Sequence, residues 1–221
     1  GPALAPVVGH RMAKAALEMA VLDAELRVAG RSFADFLGVT RDRVPAGVAL
    51  GFAPIDELIE RIGAHVAEGY TRVKLKVAPE IRGTGVRDTD VLDAVRARFA
   101  DLDLQVDANG AYGPDDVEHL ARFDRYGLQL IEQPFAADDL VTHARLAAAA
   151  ATPVCLDEPI ESLASLEAAV ALGACEVVNL KPGRVGGYLE AARIEAWCRG
   201  RIPLWCGGMI ETGVARAANV A

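Results

Sequence analysis

The sequence contains four short apolar runs that each end near a charged side chain: LQVDAN (Leu104–Asn109), LQLIEQ (Leu128–Gln133), PVCLDE (Pro153–Glu158) and EVVNLK (Glu176–Lys181). Within these runs Asp107, Glu132 and Asp157 are 25 residues apart, and Lys181 follows after 24. This interval has room for one strand, one helix and their connections, so the spacing predicts a repeated strand–helix unit.

The flanking sequence extends the same alternation in both directions. Further strands are predicted at GVALG (Gly47–Gly51), RVKLKV (Arg72–Val77) and PLWC (Pro203–Cys206). Strands that alternate with helices pair in parallel, and seven such units favour a TIM-type barrel. The alternative is an open doubly wound sheet, which usually carries a glycine-rich phosphate-binding loop after its first strand. The residues after Gly51 (FAPIDE) do not fit such a loop.

The two ends of the chain do not complete the predicted barrel. We expect residues 1–45 to form a lead-in helix and a connection, and residues 46–221 to form the barrel domain with strands one to seven. One apolar face is predicted on the lead-in helix, formed by Leu17, Val21, Ala24 and Val28. No eighth strand is predicted after Trp205. The expected fold is therefore α/β, an incomplete (β/α)7β barrel that belongs to a longer protein.

Composition limits the classes of function. Of the 221 residues, 52% are hydrophobic, which is enough for a large core, and the net charge of −8 argues against nucleic acid as a partner. No apolar run is long enough to span a membrane, and the first ten residues lack a secretory signal. The four cysteines show no spacing typical of metal or redox sites. We therefore expect a cytoplasmic protein with reduced thiols.

The repeated acids predict a metal site. Side chains that recur at the period of the strand–helix unit converge on the C-terminal mouth of a barrel, where active sites of this fold lie. Three carboxylates that converge in a pocket repel one another, and a divalent cation relieves that repulsion. Oxygen ligands alone suit Mg²⁺ better than zinc, with Mn²⁺ or another divalent cation as alternatives. We expect Asp107, Glu132 and Asp157 to be the ligands. Asn109 and Glu158 either support that site or have a capping or loop role.

Three lysines lie in strands whose neighbouring residues are apolar. Lys74 and Lys76 point to the same side of the second strand, and Lys181 lies on the sixth, across the predicted barrel. Near a metal and other cations, a lysine pKa should be lowered, which makes the side chain usable as a base. Lys74 has an alternative role, in which it holds a substrate carboxylate and depresses the pKa of Lys76. The four histidines lie away from the strand ends, and we expect them to be structural.

These residue types predict proton abstraction next to a carboxylate. Mg²⁺ bound to that carboxylate would stabilise the charge that develops when the proton leaves. Two bases on opposite faces give racemisation or epimerisation, whereas one base and a leaving group give elimination. The residues alone leave these outcomes open.

Several motifs resemble those of the enolase superfamily, in its muconate-lactonizing subgroup and the o-succinylbenzoate synthase / N-acylamino acid racemase family. The matching segments are HRMAKAALEMA (His10–Ala20), KLK (Lys74–Lys76), DANG (Asp107–Gly110), IEQP (Ile131–Pro134), CLDE (Cys155–Glu158), NLKPGRVGG (Asn179–Gly187) and WCGGMIETG (Trp205–Gly213). The resemblance covers nearly the whole chain. It implies an N-terminal α+β capping domain and a last strand, most or all of which this chain lacks.

The resemblance also implies roles for individual residues. Asp107, Glu132 and Asp157 would bind Mg²⁺, and Lys76 and Lys181 would be the acid/base pair. Six further residues would contact the substrate or tune Lys181: Lys74, Arg184, Gly208, Met209, Ile210 and Glu211. A tight turn into a helix is the structural alternative for that loop.

The implied function is o-succinylbenzoate synthase, a lyase that eliminates water in menaquinone synthesis, with possible additional N-succinyl- or N-acylamino acid racemase activity. The alternatives are a dedicated racemase, a dipeptide epimerase, a muconate cycloisomerase and, in a different class, a non-catalytic barrel. We expect a small carboxylate as substrate and a homo-oligomer as the assembly.

Overall fold

A computed structural model describes residues 2–4, 6–81 and 84–220 of the chain. In these residues seven strands are present: β1 (Val48–Leu50), β2 (Arg72–Lys76), β3 (Asp103–Asp107), β4 (Ile131–Glu132), β5 (Val154–Leu156), β6 (Val177–Leu180) and β7 (Leu204–Cys206). All seven were predicted from sequence. The shortest, β4, has only two residues, because the run before it (Leu128–Leu130) contributes buried side chains but is not assigned to the strand.

Helices separate these strands, as the sequence predicts. They are α1 (Arg11–Val28), α2 (Phe33–Leu37), α3 (Ile55–Ala67), α4 (Asp88–Arg98), α5 (Val117–Ala121), α6 (Leu140–Ala149), α7 (Leu163–Ala171), α8 (Pro182–Val185), α9 (Tyr188–Cys198) and α10 (Gly213–Val220). Short 3₁₀ helices lie at Pro2–Leu4, Pro114–Asp116 and Arg122–Tyr126. The 3₁₀ turn at Pro114–Asp116 leads directly into α5.

Contacts divide the chain into two compact units. The first contains Gly1–Val44, Pro159–Ala168 and Val178–Ala221, and the second contains Pro45–Glu158 and Ala169–Val177. We call them the lead-in unit and the central unit. The lead-in residues share their unit with later parts of the chain, and a division between residues 45 and 46 stays a prediction.

In the central unit, β1 to β5 pair in parallel and in chain order. The register aligns Lys76 with Asp107, Asp107 with Glu132, and Glu132 with Cys155. Asp157 lies two residues beyond Cys155. Because side chains on a strand alternate with a period of two, Asp157 lies on the same face as Glu132 but two residues further along the strand direction. The equal spacing in sequence therefore corresponds to a staggered row.

The core of the central unit lies between these strands and the helices that follow them. Val73, Leu75 and Val77 are at most 2% exposed on the helix-facing side of β2. They belong to one core cluster with Leu58 and Ile62, the buried residues of α3. Burial of one face of β2 leaves its other face for Lys74 and Lys76, as the alternation in the sequence predicts.

The lead-in unit holds β6 and β7, which pair in parallel with Val178 opposite Leu204 and Leu180 opposite Cys206. In this unit α1 packs against α8 and α9. The apolar face predicted for α1 is not the buried one, since Leu17, Val21 and Val28 are 57%, 55% and 92% exposed. The buried side chains are Ala15, Leu22 and Leu26. Helix α1 carries apolar residues on two sides, and its packing partners decide which side is buried.

Two sequence-based expectations concern thiols and membranes. The four cysteines, all within the described part of the chain, form no disulfide, and three of them are buried. Among the described residues, no helix combines the length and the apolar character that crossing a membrane requires.

Candidate active site

Two lysines of β2 contact the carboxylates at the ends of β3 and β4. Lys74 Nζ lies 2.6 Å from Glu132 Oε2 and 3.0 Å from Asp107 Oδ2. Lys76 Nζ lies 2.7 Å from the same Asp107 oxygen and also donates to Asn109 Oδ1. The side chains of Glu132 and Asp107 are only 0% and 2% exposed. The strand register thus brings four predicted site residues and Asn109 into one hydrogen-bonded network.

The two lysines lie in different environments. Burial lowers the pKa of Lys74, but the negative charges of Glu132 and Asp107 together raise it by more, so that it lies above its ordinary value of 10.5. The two carboxylates that flank the ammonium group cause this direction, and the lowered pKa expected beside a bound metal stays a prediction. A permanently charged Lys74 fits the alternative role of holding carboxylates, and it does not fit the role of a base.

Asp107 contacts both lysines of β2. Burial alone would raise its pKa, but the charges of Lys74 and Lys76 and their hydrogen bonds hold it below the ordinary value. The backbone N–H of Asn109 also donates to Asp107 Oδ1, at 3.1 Å. Asp107 is therefore a carboxylate throughout the physiological pH range, as a metal ligand must be.

Asn109 and Glu158 are directly linked, since Asn109 Nδ2 donates to Glu158 Oε1 at 2.9 Å. Asn109 has a φ of 44°, which is uncommon for a residue other than glycine. Its side chain thus connects Lys76 to Glu158. Of the two roles left open by the sequence, a supporting role at the site is the one that these contacts favour.

Asp157 directly follows β5 and is fully buried. Its backbone N–H and that of Glu158 both donate to Oε1 of Gln133, at 3.0 and 3.2 Å. Gln133 was not singled out by the sequence analysis. Its position between Glu132 and Pro134 was the one sign in the sequence that Gln133 lies near the site. The partners of its side chain, which are distant in sequence, cannot be deduced from that position.

In the lead-in unit, Lys181 directly follows β6 and directly precedes α8. Its carbonyl accepts the backbone N–H groups of Arg184 and Val185, at 2.9 and 3.1 Å. Arg184 lies in this single turn, with Nη2 3.7 Å from Met209 Sδ. Gly207 lies so close to β6 that a Cβ atom there would be 2.8 Å from Lys181 Cε. Lys181, Arg184 and the loop after β7 are therefore neighbours, as the sequence predicts.

The loop at 207–211 is shaped by Glu211. Its Oε1 accepts the backbone N–H of Met209 at 2.7 Å and Asn219 Nδ2 at 3.0 Å, and its Oε2 lies 3.1 Å from Arg216 Nη2. Although burial acts to raise the pKa of Glu211, these hydrogen bonds and the charge of Arg216 lower it overall. Glu211, which was predicted to contact substrate, uses its carboxylate to hold the loop. The sequence analysis did not identify Arg216 or Asn219.

Ile210 stands out at the tip of this loop. Its φ of 60° is unusual for a β-branched residue, and its side chain is 100% exposed. A backbone conformation of this kind costs roughly 1–3 kcal/mol and is common in ligand-binding segments. The prediction that Gly208, Met209 and Ile210 contact substrate is compatible with this exposure, and it stays a prediction.

The residues of the central unit suit a divalent cation in chemistry. The three predicted ligands are buried oxygen donors at the ends of successive strands, and a cation, the ammonium group of Lys74, already lies between two of them. Across the described residues, no group of three or more His, Cys, Asp or Glu side chains has the arrangement of a formed metal site. The donor set is appropriate, and the ligand assignment remains a prediction.

Parallel strands that alternate with helices, with buried acids and lysines at the strand ends, define the class of α/β barrel enzyme domains. The model of the family described as "Enolase C-terminal domain-like" matches residues 57–221. The chain belongs to this family, as the resemblance implied.

Relatives and solved structures agree with this membership. The chain is 54% identical over 223 residues to an N-succinylamino acid racemase of an Amycolatopsis species, covering 100% of this chain and 59% of that protein. It is 45% identical over 219 residues to the o-succinylbenzoate synthase of Bacillus subtilis (strain 168), covering 99% of this chain and 57% of that protein. The chain thus spans little more than half the length of these relatives.

Two solved structures share the fold. One is an enolase superfamily member from Enterococcus faecalis V583, with a TM-score of 0.90 and 43% identity over 98% of this chain and 57% of that one. The other is an L-talarate dehydratase from Polaromonas sp. JS666 complexed with Mg and L-glucarate, with a TM-score of 0.79 and 29% identity over 95% of this chain and 60% of that one. These likenesses confirm the α/β barrel class and the incomplete extent of the barrel.

Proposed function

We propose that this chain is the barrel part of an enzyme that removes the proton next to a substrate carboxylate with the help of a divalent cation, with Mg²⁺ as the leading candidate. The main support is the position of Lys74 Nζ between the buried carboxylates of Glu132 and Asp107, with Lys76 beside it. Such a cluster concentrates charge at the strand ends, where barrel active sites lie.

Each residue has a distinct proposed role. Asp107, Glu132 and Asp157 would hold the cation, which when bound would supply the positive charge that stabilises a developing negative charge on the substrate carboxylate. Lys76 would accept the proton after giving up its contacts with Asp107 and Asn109. Lys74, with its raised pKa, would stay charged and hold a carboxylate oxygen.

In the lead-in unit, Lys181 is the second proposed acid/base group. Arg184 follows it in the turn of α8 and would tune the protonation of Lys181 through its positive charge. The loop residues Gly208, Met209 and Ile210 would contact the part of the substrate remote from the reacting carbon. Glu211 would act by holding this loop in shape, with Arg216 as its partner.

The proposed reaction is o-succinylbenzoate synthesis by elimination of water, with N-succinylamino acid racemisation as a second activity. The names of the two relatives support both reactions, since each matches essentially the whole chain. The higher identity of 54% to the racemase favours a dedicated racemase as the second candidate. A non-catalytic barrel is the remaining alternative, and the complete set of lysines and acids argues against it.

The deciding experiment follows proton–deuterium exchange at the α-carbon of N-succinyl amino acids by NMR, with the complete natural protein and Mg²⁺. Exchange with racemisation would establish two-base chemistry, and Lys181→Ala should abolish racemisation. Turnover of the dehydration substrate without exchange would indicate a dedicated synthase. Neither activity, in a protein that binds Mg²⁺, would contradict the proposal.

The metal ligands are tested separately. Asp107→Ala, Glu132→Ala and Asp157→Ala should each weaken Mn²⁺ affinity, and unchanged affinity in all three variants would refute the ligand assignment. We also propose that the complete protein is a cytoplasmic homo-oligomer that acts on a small carboxylate. Analytical ultracentrifugation of the complete protein tests the assembly.

A further inference from the structure

Gln133 has an unusual backbone and a fully used side chain. It directly follows Glu132, has a φ of 40° and is 1% exposed. A residue other than glycine rarely adopts this region of backbone space, so the surrounding contacts must hold it there. Such an outlier beside a predicted metal ligand is a reason to look for a functional role.

The contacts of Gln133 connect three strand ends. Its carbonyl oxygen accepts the N–H of Gly110, at 2.8 Å, and its own N–H donates to the carbonyl of Cys155, at 2.9 Å. Its side-chain Oε1 accepts the N–H groups of both Asp157 and Glu158. One residue thus bonds the loop after β3, the end of β4 and the residues that follow β5. These are the segments that carry the three predicted metal ligands.

The orientation of the Gln133 amide is fixed by His143, which is fully buried on α6. His143 Nδ1 lies 2.7 Å from the carbonyl oxygen of Asp139, so Nδ1 must carry the proton. Its Nε2 then has a lone pair, which faces two donors, the backbone N–H of Phe135 at 3.4 Å and Nε2 of Gln133 at 3.3 Å. Gln133 Nε2 also donates to the carbonyl of Phe135, at 2.9 Å.

This arrangement admits only one placement of the two ends of the amide. If the amide were reversed, its oxygen would face the Phe135 carbonyl and the lone pair of His143, and its NH₂ group would face the N–H groups of Asp157 and Glu158. Both sets of contacts would then be repulsive. Burial lowers the pKa of His143, which favours the neutral form that this network needs.

We propose that Gln133 is a positioning residue for the metal site, which sets the position of Asp157 through its backbone N–H, and that neutral His143 fixes the orientation of the Gln133 amide. The inference rests on the proposed function, because it assumes that Asp157 is a ligand. Residues that orient metal ligands typically change metal affinity about 10–100-fold when they are replaced.

The test measures Mn²⁺ affinity by electron paramagnetic resonance in the complete natural protein. Gln133→Met keeps the volume and removes both ends of the amide, and we expect it to weaken Mn²⁺ binding about tenfold or more. The matched control is Gln105→Met. Gln105 is also a buried glutamine on the sheet, but its Nε2 donates to the side chain of Gln129, at 3.0 Å. It should change affinity by less than about twofold.

His143 supplies a second, independent measurement. Two-bond ¹H–¹⁵N correlation spectra of the wild-type protein should show His143 as the neutral Nδ1–H tautomer. His143→Gln, which retains one donor and one acceptor, should preserve Mn²⁺ affinity better than His143→Leu.

The outcomes separate the two proposals. Mn²⁺ binding that is unchanged in Gln133→Met, or a His143 found as the Nε2–H tautomer, would overturn this inference and leave the proposed function intact. A wild-type protein that does not bind Mn²⁺ or Mg²⁺ would overturn the proposed function, and this inference with it.

Discussion

Replacement of Lys74 by methionine tests how charge is balanced in the central unit. The change removes an ammonium group that lies 2.6 Å from Glu132 and 3.0 Å from Asp107, and both of these acids are almost fully buried. Asp107 keeps its contact with Lys76, at 2.7 Å, whereas Glu132 loses its 2.6 Å contact with Lys74. Removal of one partner from a buried ion pair typically costs about 3–5 kcal/mol. Because the Lys74 side chain is still 14% exposed, we expect about 3 kcal/mol at pH 8.

The dependence of this loss on pH follows from the protonation of Glu132. Without Lys74, the pKa of buried Glu132 should rise above that of the unfolded chain, so the folded variant binds more protons than the unfolded one. Its free energy of unfolding should then increase as the pH falls through the raised pKa, by at most about 1.4 kcal/mol per pH unit. The difference between wild type and variant should therefore be largest at high pH and should narrow toward pH 5.

A divalent cation should partly replace the lost ammonium group. Ligand at one hundred times its dissociation constant stabilises a folded protein by about 2.7 kcal/mol. Lys74 competes with the cation for Glu132 and Asp107, so Mg²⁺ should bind the variant more tightly than the wild type and narrow the deficit by that difference. The assay is urea unfolding of the complete protein, followed by circular dichroism from pH 5 to 9 with EDTA or Mg²⁺. Lys14→Met, which changes a lysine on α1, is the control and should stay within about 0.5 kcal/mol of wild type. A loss below about 1 kcal/mol for Lys74→Met at pH 8 would refute the charge-balance argument.

Three further changes test the local structure by the same unfolding assay. Gly187→Ala should lower the free energy of unfolding by about 1–3 kcal/mol, because residue 187 has a φ of 140° and the alanine Cβ would lie 2.1 Å from Glu18 Oε1. Adding Glu18→Ala should relieve the clash but not the backbone strain. Asn109→Ala should be less stable than Asn109→Gly by about 1 kcal/mol, because both changes remove the amide but only alanine is strained at a φ of 44°. Equal stability of the two variants would show that the backbone relaxes to another conformation. His143 has a lowered pKa in the folded protein, so protons bind preferentially to the unfolded state. The free energy of unfolding should therefore fall as the pH drops below about 6.5. His143→Gln should flatten this pH dependence, and an unchanged dependence would contradict the assignment to His143.

The positions of the strands and of the acids could be predicted from sequence because both depend on local patterns. Short apolar runs at regular intervals specify parallel strands, and the acids that follow them then meet at one edge of the sheet. The sequence carries a further signal that the analysis did not use. Lysine and arginine together number 23, but only four are lysine: Lys14, Lys74, Lys76 and Lys181. Because arginine has a pKa too high to act as a base, the three lysines that occur in or beside strands despite this bias indicate where a titratable amine is needed.

The stagger of Asp157 and the buried face of α1 could not be predicted in the same way. Equal spacing in sequence gives no information on register, which depends on how neighbouring strands pair across the sheet. On α1, Leu17 and Leu22 are equally apolar, and only the contact with α8 and α9 buries the second and leaves the first exposed. These features depend on pairs of elements, whereas sequence patterns report on one element at a time.

The polar contacts around Gln133 are a stronger example of a feature that no single-element sequence pattern predicts. A glutamine in IEQP has no local pattern that marks it as buried, because glutamine is usually exposed. Its burial becomes tolerable only when Asp157, Glu158 and His143 supply partners for both ends of the amide. Those partners are 10 to 25 residues away in sequence.

The different environments of Lys74 and Lys76 explain how one strand can supply two chemical roles. Residues two apart on a strand face the same side and are separated by roughly 6.6 Å along it. Lys74 lies deeper, with 14% of its side chain exposed against 31% for Lys76. Its ammonium group contacts two carboxylates, whereas that of Lys76 contacts the carboxylate of Asp107 and the amide of Asn109. The deeper amine is therefore held charged, whereas the shallower one can exchange its protein partners for a substrate. Transfer of the base role to position 74 would require the loss of Glu132, which the proposed metal site cannot spare.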